Sequence, residues 1–403
     1  MKKITGLLFL LSLISLVIWT GCKKDEDDSK KVEPIILDCE TITSDMTLVD
    51  RGGSPDYIIP CRIKVEATLT LEPGVEIAFG SDAGLEFTSK GLLNAKGTVA
   101  KPIVLRGQES TPGYWRGLRF SGSNNQNKMH FTTVDGAGSL SWDGANIKSN
   151  ISLSGNSKIE IKNSTISNSA GDGIHSGYLN HNPDAFAGFE GNILTGNKGF
   201  PLRLSVAQVK DLGLNTFPAN GNNRIEVHTA NHYNGILGTH TWNYPGAPIL
   251  INSKLDIAVG STVARLIINE GVIIEMGSDQ SISVNSEGSL TINGTQANPV
   301  IIRGEENIKD FWRGINVSSN SATNVFTWAM VSDGGSASHS GYAGKDVIRI
   351  GASFSGPYRL TMNDCTVSNS NQCGVRVSSN PNIGNYTDNN TTYIDLGSNV
   401  CDF

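Results

Sequence analysis

The sequence predicts an all-β solenoid of stacked parallel coils, assembled from two tandem copies of one half. Three observations predict it. Amphipathic helical runs are almost absent, short alternating strands are cut by turn residues throughout, and one long segment recurs without a gap. The chain has 403 residues, of which 45 are Gly, and Gly and Asn mark corners that need positive φ. Residues 69–107, "LTLEPGVEIAFGSDAGLEFTSKGLLNAKGTVAKPIVLRG", read as four or five strands of three to five residues. Their connections are too short for crossover helices. Coils stacked about 4.8 Å apart pair each backbone group with the coil above and below. Inward Val, Ile, Leu and Phe then form internal ladders, and Asn at equivalent corners forms hydrogen-bonded ladders.

The N-terminal residues stand outside this fold. Lys2 and Lys3 precede a mostly apolar stretch from Leu7 to Trp19, too short to span a bilayer and suited to a signal-peptide core. The stretch ends "WTGC" at Cys22. This resembles the lipobox of bacterial lipoproteins, with Trp19 in place of the usual aliphatic residue; the resemblance implies that Cys22 is lipidated. "CKKDEDDSKKVEP", residues 22–34, is a solvated charge run that cannot bury a core. It is similar to the acidic tag of surface-exported lipoproteins in one group of Gram-negative bacteria. That similarity implies an outer-membrane address, lipid-anchored and facing outwards. The expected organisation is a signal peptide over 1–21, an anchored linker over 22–38, a first half over 39–240 and a second half over 241–403, forming one continuous solenoid.

The two halves are legible as a duplication. "GYWRGLRF" at 113–120 returns as "DFWRGINV" at 310–317, and Trp312 stands 197 residues after Trp115. The same offset joins Gly80-Ser81-Asp82 to Gly277-Ser278-Asp279, Pro102 to Pro299, and Arg106-Gly107 to Arg303-Gly304. No gap is needed from 71–139 onto 268–336. A weaker match sets "NSTISNSAGDGI" (163–174) beside "NDCTVSNSNQCGV" (363–375), with one residue inserted.

"LEPGVEIAFG", "GLLNAKGT", "KPIVLRG", "GYWRGLRF" and "NSTISNSAGDGI" together resemble right-handed parallel β-helix proteins of the pectin-lyase-like superfamily, over about residues 45–403. The likeness is closest to its uncharacterised surface-lipoprotein members. It implies a right-handed parallel β-helix and leaves activity open, because that superfamily includes lyases, hydrolases and adhesins.

Formal net charge is −6 and only 17% of residues are charged, so no basic surface points towards nucleic acid. Five cysteines follow Cys22: Cys39, Cys61, Cys365, Cys373 and Cys401. An oxidising compartment permits disulfides; Cys39 with Cys61 would staple the N-terminal end, and two of the other three the C-terminal end. The repeated phrase is read first as a corner of the fold, with Gly in a tight bend and Arg over a ring or on a carboxylate. Its functional reading makes Tyr114, Trp115, Arg116, Phe311, Trp312 and Arg313 ligand-binding platforms for sugars. For catalysis the candidates are Asp172 and His175 in "AGDGIH", with Asp184 following, a feature the second half does not repeat. His228, His232 and His240 would bind a metal only if coils converged them, and read rather as junction loops. Asp82 and Asp279 would serve Ca²⁺ but need no role beyond the turn. No cofactor is expected. The expected function is a non-catalytic glycan-binding or adhesin-like scaffold meeting extracellular polysaccharide or cell-surface glycan; the alternative is a polysaccharide lyase or glycoside hydrolase.

Overall fold

The structure, a computed structural model, describes residues 32–122, 126–142, 146–176, 182–228, 235–339, 344–351, 356–380 and 382–402. The signal segment, Cys22, Tyr178, His181, His232 and Tyr233 lie outside the described residues.

The chain winds into a right-handed parallel β-helix with three strands per coil. Every strand pairs in parallel with the strand one coil away, and right-handed crossovers follow from the twist of parallel strands. In the first half, face 1 stacks strands 57–59, 76–79, 103–107, 132–135, 165–167 and 193–195. Face 2 stacks 62–65, 84–87, 117–120, 149–153, 172–176 and 202–205, and face 3 stacks 46–48, 68–71, 92–96, 127–130, 159–162 and 186–190.

Alternation builds the core. In Ile103–Gly107, Ile103 and Leu105 are buried while Val104 and Arg106 are half-buried. Along face 2 of the first half and the row that continues it into the second, the inward positions form an unbroken ladder, from Ile63 and Leu85 through Ile174, Leu202, Ile225 and Ile274 to Val331 and Val367. Each of these side chains is essentially inaccessible, and burying one stabilises by roughly 1.5–3 kcal/mol. Corners are closed by asparagines. Asn192 donates from Nδ2 to the Ile161 carbonyl at 2.9 Å, accepts from the Ser164 amide at 3.0 Å, and gives its own amide to Asn215 Oδ1 at 3.0 Å. Such bonds satisfy corner amides that no strand reaches.

The duplication passes through the junction with a turn. Strand 202–205 of face 2 pairs with 225–228, which pairs with 249–251. Strand 249–251 begins the row 273–276, 300–304 and 329–332, the counterpart of face 1. The second half therefore sits on the first rotated by one face. Its face 2 comprises 255–257, 281–284, 314–317 and 346–350, and its face 3 comprises 238–242, 264–269, 288–293, 325–327, 358–363 and 384–389. Strand Thr366–Val377 pairs with both 329–332 and 346–350, carrying the ladder around a corner.

Strand register also corrects the weaker part of the alignment. Lys128 pairs with Glu160, and Val325 with Thr361, so Glu160 corresponds to Thr361 and Asn163 to Asp364. Asn163 and Asp364 share a left-handed φ of 50°. The second copy is thus longer before Tyr358, and the NSTISN-like segment needs no internal insertion.

Both ends are stapled. Cys39 bonds Cys61, and Cys373 bonds Cys401, while Cys365 is a buried free thiol. Burial pushes the Cys365 thiol up to about 11, which keeps it protonated and inert. A disulfide spanning 28 residues contributes about 3 to 4 kcal/mol by chain entropy. The Cys373→Ser/Cys401→Ser double variant is expected to lose amide protection first over 392–402. Protection over 249–332 should persist; a uniform loss along the chain would contradict fraying from the end.

Candidate functional site

The Trp-Arg-Gly corner is the same object twice. Trp115 and Trp312 are both fully buried, and their Nε1–H groups donate at 2.7 Å to the carbonyls of Asp135 and Ser332. Trp115 stacks on Phe79 with ring centroids 4.1 Å apart. Arg116 grips Asp82 at 3.0 and 3.1 Å, and Arg313 grips Asp279 at 3.2 and 2.8 Å. Ser139 and Ser336 add hydroxyl donors to the same carboxylates at 2.7 and 2.8 Å. Gly117 and Gly314 share a φ of 107°, and a Cβ there would stand 2.4 and 2.3 Å from the Asn150 and Val347 carbonyls, so only glycine fits.

This geometry corrects the expectation of sugar-stacking indoles: both rings face the core and leave no surface to stack on. Tyr114 and Phe311 lie half-buried over Gly107 and Gly304. Asp82 and Asp279 are engaged by the arginine forks rather than arranged around a cation. The Arg116 guanidinium also lies 5.3 Å from the Trp142 ring.

Of the proposed catalytic trio, Asp172 and His175 share strand Asp172–Ser176 and Asp184 lies outside it. Asp172 is buried, accepts from Arg203 Nε at 2.7 Å and from the Phe200 amide at 2.9 Å, which is the wiring of a structural ion pair. His175 is buried, and desolvation holds its imidazole down at about 4. Asp184 is exposed and pairs with Lys210 at 3.3 Å; among the described residues no hydrogen bond or ion pair joins it to Asp172 or His175. His228 and His240 sit on different faces, on strands 225–228 and 238–242. Among the described residues no three His, Cys, Asp or Glu side chains cluster as metal ligands.

A concavity lies elsewhere, on face 2 of the second half. An open groove of about 720 Å³ runs over strands 281–284 and 314–317. Ser283 and Asn316, in register on adjacent strands, point outwards because their neighbours Ile282, Val284, Ile315 and Val317 fill the core. The groove takes further hydroxyls and amides from Asn285 and Ser318, cations from Lys254 and Arg313, and a wall from Pro357 and Tyr358. In the first half the corresponding positions are Glu86 and Arg119, an ion pair at 3.3 Å, and the Trp142 ring crowds Gly84. The second copy carries no such ion pair at the matching positions, and Pro357 and Tyr358 wall its surface.

Charge in the groove is mostly neutralised in pairs. Lys254 holds Asp256 at 2.7 Å, and Arg349 and Arg376 hold the buried Asp346 at 2.8 and 3.0 Å. Asn316 donates Nδ2 to Ser318 at 3.1 Å, while its buried Oδ1 accepts no hydrogen bond among the described residues. His339, 4% exposed, lies at the groove with Nε2 3.7 Å from Asp346 Oδ1. Burial first, then the charges of Arg349, Arg313 and Lys254, hold its pKa down at about 4. The groove thus offers neutral donors and acceptors beside one ring, the composition that recognises sugar hydroxyls.

Sequence reasoning named Arg313 in this region and missed Ser283, Asn316, His339 and Tyr358. The available signal was the loss of Glu86 and Arg119 counterparts within a gap-free alignment. Compared with family models, with characterised proteins and with solved structures, the chain matches none.

Two outcomes test this account. Trp115→Ala and Trp312→Ala are each expected to cost about 3–5 kcal/mol of stability, as large aromatic truncations in a core do, measured by denaturant unfolding. An unchanged midpoint would refute the structural role. His175 and His339 have folded pKa values below the ordinary 6.5, so the unfolded state binds more protons between them. Their contribution is present above pH 6.5 and lost as pH falls towards 4, on the order of 3 kcal/mol each. His339→Gln should therefore lose less stability than the parent between pH 7 and 4.5, and equal losses would count against it.

Proposed function

We propose that this chain is a lipid-anchored protein on the outer face of the outer membrane, and that it binds extracellular polysaccharide in the second-half groove without cleaving it. The observation that carries the reading is the groove itself: hydroxyls and amides beside Tyr358, where the sister copy is closed by an ion pair. Absence of turnover is supported by the acids nearest the groove. Asp256, Asp279 and Asp346 are each tied to a cation, whereas glycoside hydrolysis needs a carboxyl pair available for acid and base work. Membership of the pectin-lyase-like superfamily is part of the reading and rests on the corner motifs and the β-helix together. Anchoring rests on "WTGC" and the acidic run after Cys22.

Affinity electrophoresis of residues 39–403 in gels containing different polysaccharides tests binding. Retardation with intact polymer is expected, and Tyr358→Ala or Asn316→Ala should weaken it about tenfold, equivalent to 1.4 kcal/mol, with an unchanged melting temperature. Clearing of the polymer around the band would overturn the non-catalytic reading. For the address, full-length Cys22→Ser is expected to leave the membrane fraction; retention there would argue against lipid anchoring.

A further inference from the structure

Face 3 of the second half carries a regular surface that the groove does not use. Thr-x-Asn recurs at 241–243, 291–293, 361–363 and 387–389, with Ile-x-Asn at 267–269 and Val-x-Thr at 325–327. Strand pairing puts these segments in register, Ile267 on Thr291, Thr291 on Val325, Val325 on Thr361 and Thr361 on Thr387. They point outwards, because Leu266, Ile268, Leu290, Ile292, Phe326 and Leu360 between them are buried. The result is a row of β-branched side chains flanked by a row of amides, repeated at the coil spacing of about 4.8 Å.

The amides hold one another in place. Asn269 donates to Asn243 at 2.8 Å, Asn293 to Asn269 at 3.3 Å, Asn363 to Thr327 at 3.3 Å and Asn389 to Asn363 at 2.8 Å. Each such bond uses one of the two N–H donors of an amide, leaving the second and a carbonyl lone pair for a ligand, on side chains already ordered. At the start of the row is a concavity of about 440 Å³ lined by Asn243, Asn269, Asn293, Tyr244 and Glu270. Tyr244 is 38% exposed, so this aromatic ring, unlike the two corner indoles, has a face to offer.

The sister surface shows what the duplication changed. On face 3 of the first half the same rows read Asn94, Lys128, Glu160 and Lys96, His130, Lys162. They are tied by a hydrogen bond between His130 and Glu160 at 2.6 Å and an ion pair between Lys162 and Glu190 at 2.8 Å. Such charges hold water and disfavour an uncharged ligand that would strip it. In the second copy Lys128, Glu160 and Lys162 give way to Val325, Thr361 and Asn363.

We infer that face 3 of the second half is a second polysaccharide-binding surface, taking an extended, uncharged glycan along the solenoid axis, with a sugar ring on Tyr244 and hydroxyls on the amide row. Ring stacking fixes one residue of the polymer, and the pre-ordered amides meet its hydroxyls with little further loss of side-chain freedom. This surface shares a ligand class with the groove but does not depend on the groove being occupied.

The test uses residues 39–403 against hydroxyethyl cellulose, galactomannan and xyloglucan in native gels, with a Tyr358→Ala variant to disable the groove. Retardation by at least one of these neutral polymers is expected to survive Tyr358→Ala. It should fall about tenfold in Tyr244→Ala and in Asn293→Lys, the latter restoring the first-half charge of Lys96 at an exposed position. Unchanged melting curves exclude misfolding of these two variants. If Tyr358→Ala alone abolishes retardation, or if none of the three polymers retards the chain, the inference fails; survival of retardation that neither face variant weakens overturns it too. Ice-growth inhibition lost in the same two variants, without polymer retardation, would assign the face to ice and equally overturn it. Failure of the groove reading shows instead as indifference to Tyr358→Ala with full sensitivity to Tyr244→Ala.

Discussion

The inward aliphatic ladder along one side of the coil, from Ile63 to Val367, is the constraint on which the remainder depends. Parallel coils bond only to their neighbours, so register must be passed on strand by strand. A slip of one residue would send Ile174 outwards and His175 into the core. Fully buried β-branched and leucine rungs make such a slip costly at every coil, including the junction, where Leu202, Ile225 and Ile249 carry the ladder from one copy to the next. Corner asparagines then satisfy amides that the ladder leaves over. Outward positions are released from structural duty, and it is on these that the copies differ.

The architecture was legible because its causes are local and periodic. Short alternating strands, Gly and Asn corners and a gap-free repeat all follow from side-chain parity and positive φ, which sequence displays directly. Gly117 and Gly314 could be placed at one corner because both copies keep the same phrase. The site was less legible, for a physical reason. Trp115 and Trp312 attract attention as large rings, but whether a ring faces inward depends on which side of a corner it falls, and here both are stacked in the core. Asp172 and His175 looked like an asymmetric graft, yet Arg203, a coil away and distant in sequence, decides that Asp172 is an ion pair. The groove arises from what Ser283 and Asn316 lack relative to Glu86 and Arg119. Absence of bulk and charge leaves a weak mark in a single chain, although comparison of the two copies records it.

The two copies therefore divide labour without dividing the fold. In the first, outward rows are laced by Lys, Glu, Arg and His pairs that add modestly to stability at partly exposed sites. In the second, the rows through Ser283 and Asn316 and through Thr291, Val325 and Thr361 carry neutral side chains, while face 1 keeps the Arg303–Glu275 pair. On faces 2 and 3 one copy has charged positions where the other has neutral ones, as Glu86 and Arg119 against Ser283 and Asn316.

The rotation of one copy upon the other by a single face gives the rod a direction. Because the halves are out of phase, face 3 of the first lies in line with face 2 of the second. A polymer leaving the groove towards the N-terminal end would thus pass from neutral hydroxyls onto the Lys96, His130 and Lys162 side. Among the described residues each side of the rod changes character at the junction, which gives the two directions along it a different order of surfaces. The duplicated fold in this way presents different chemistry at its two ends.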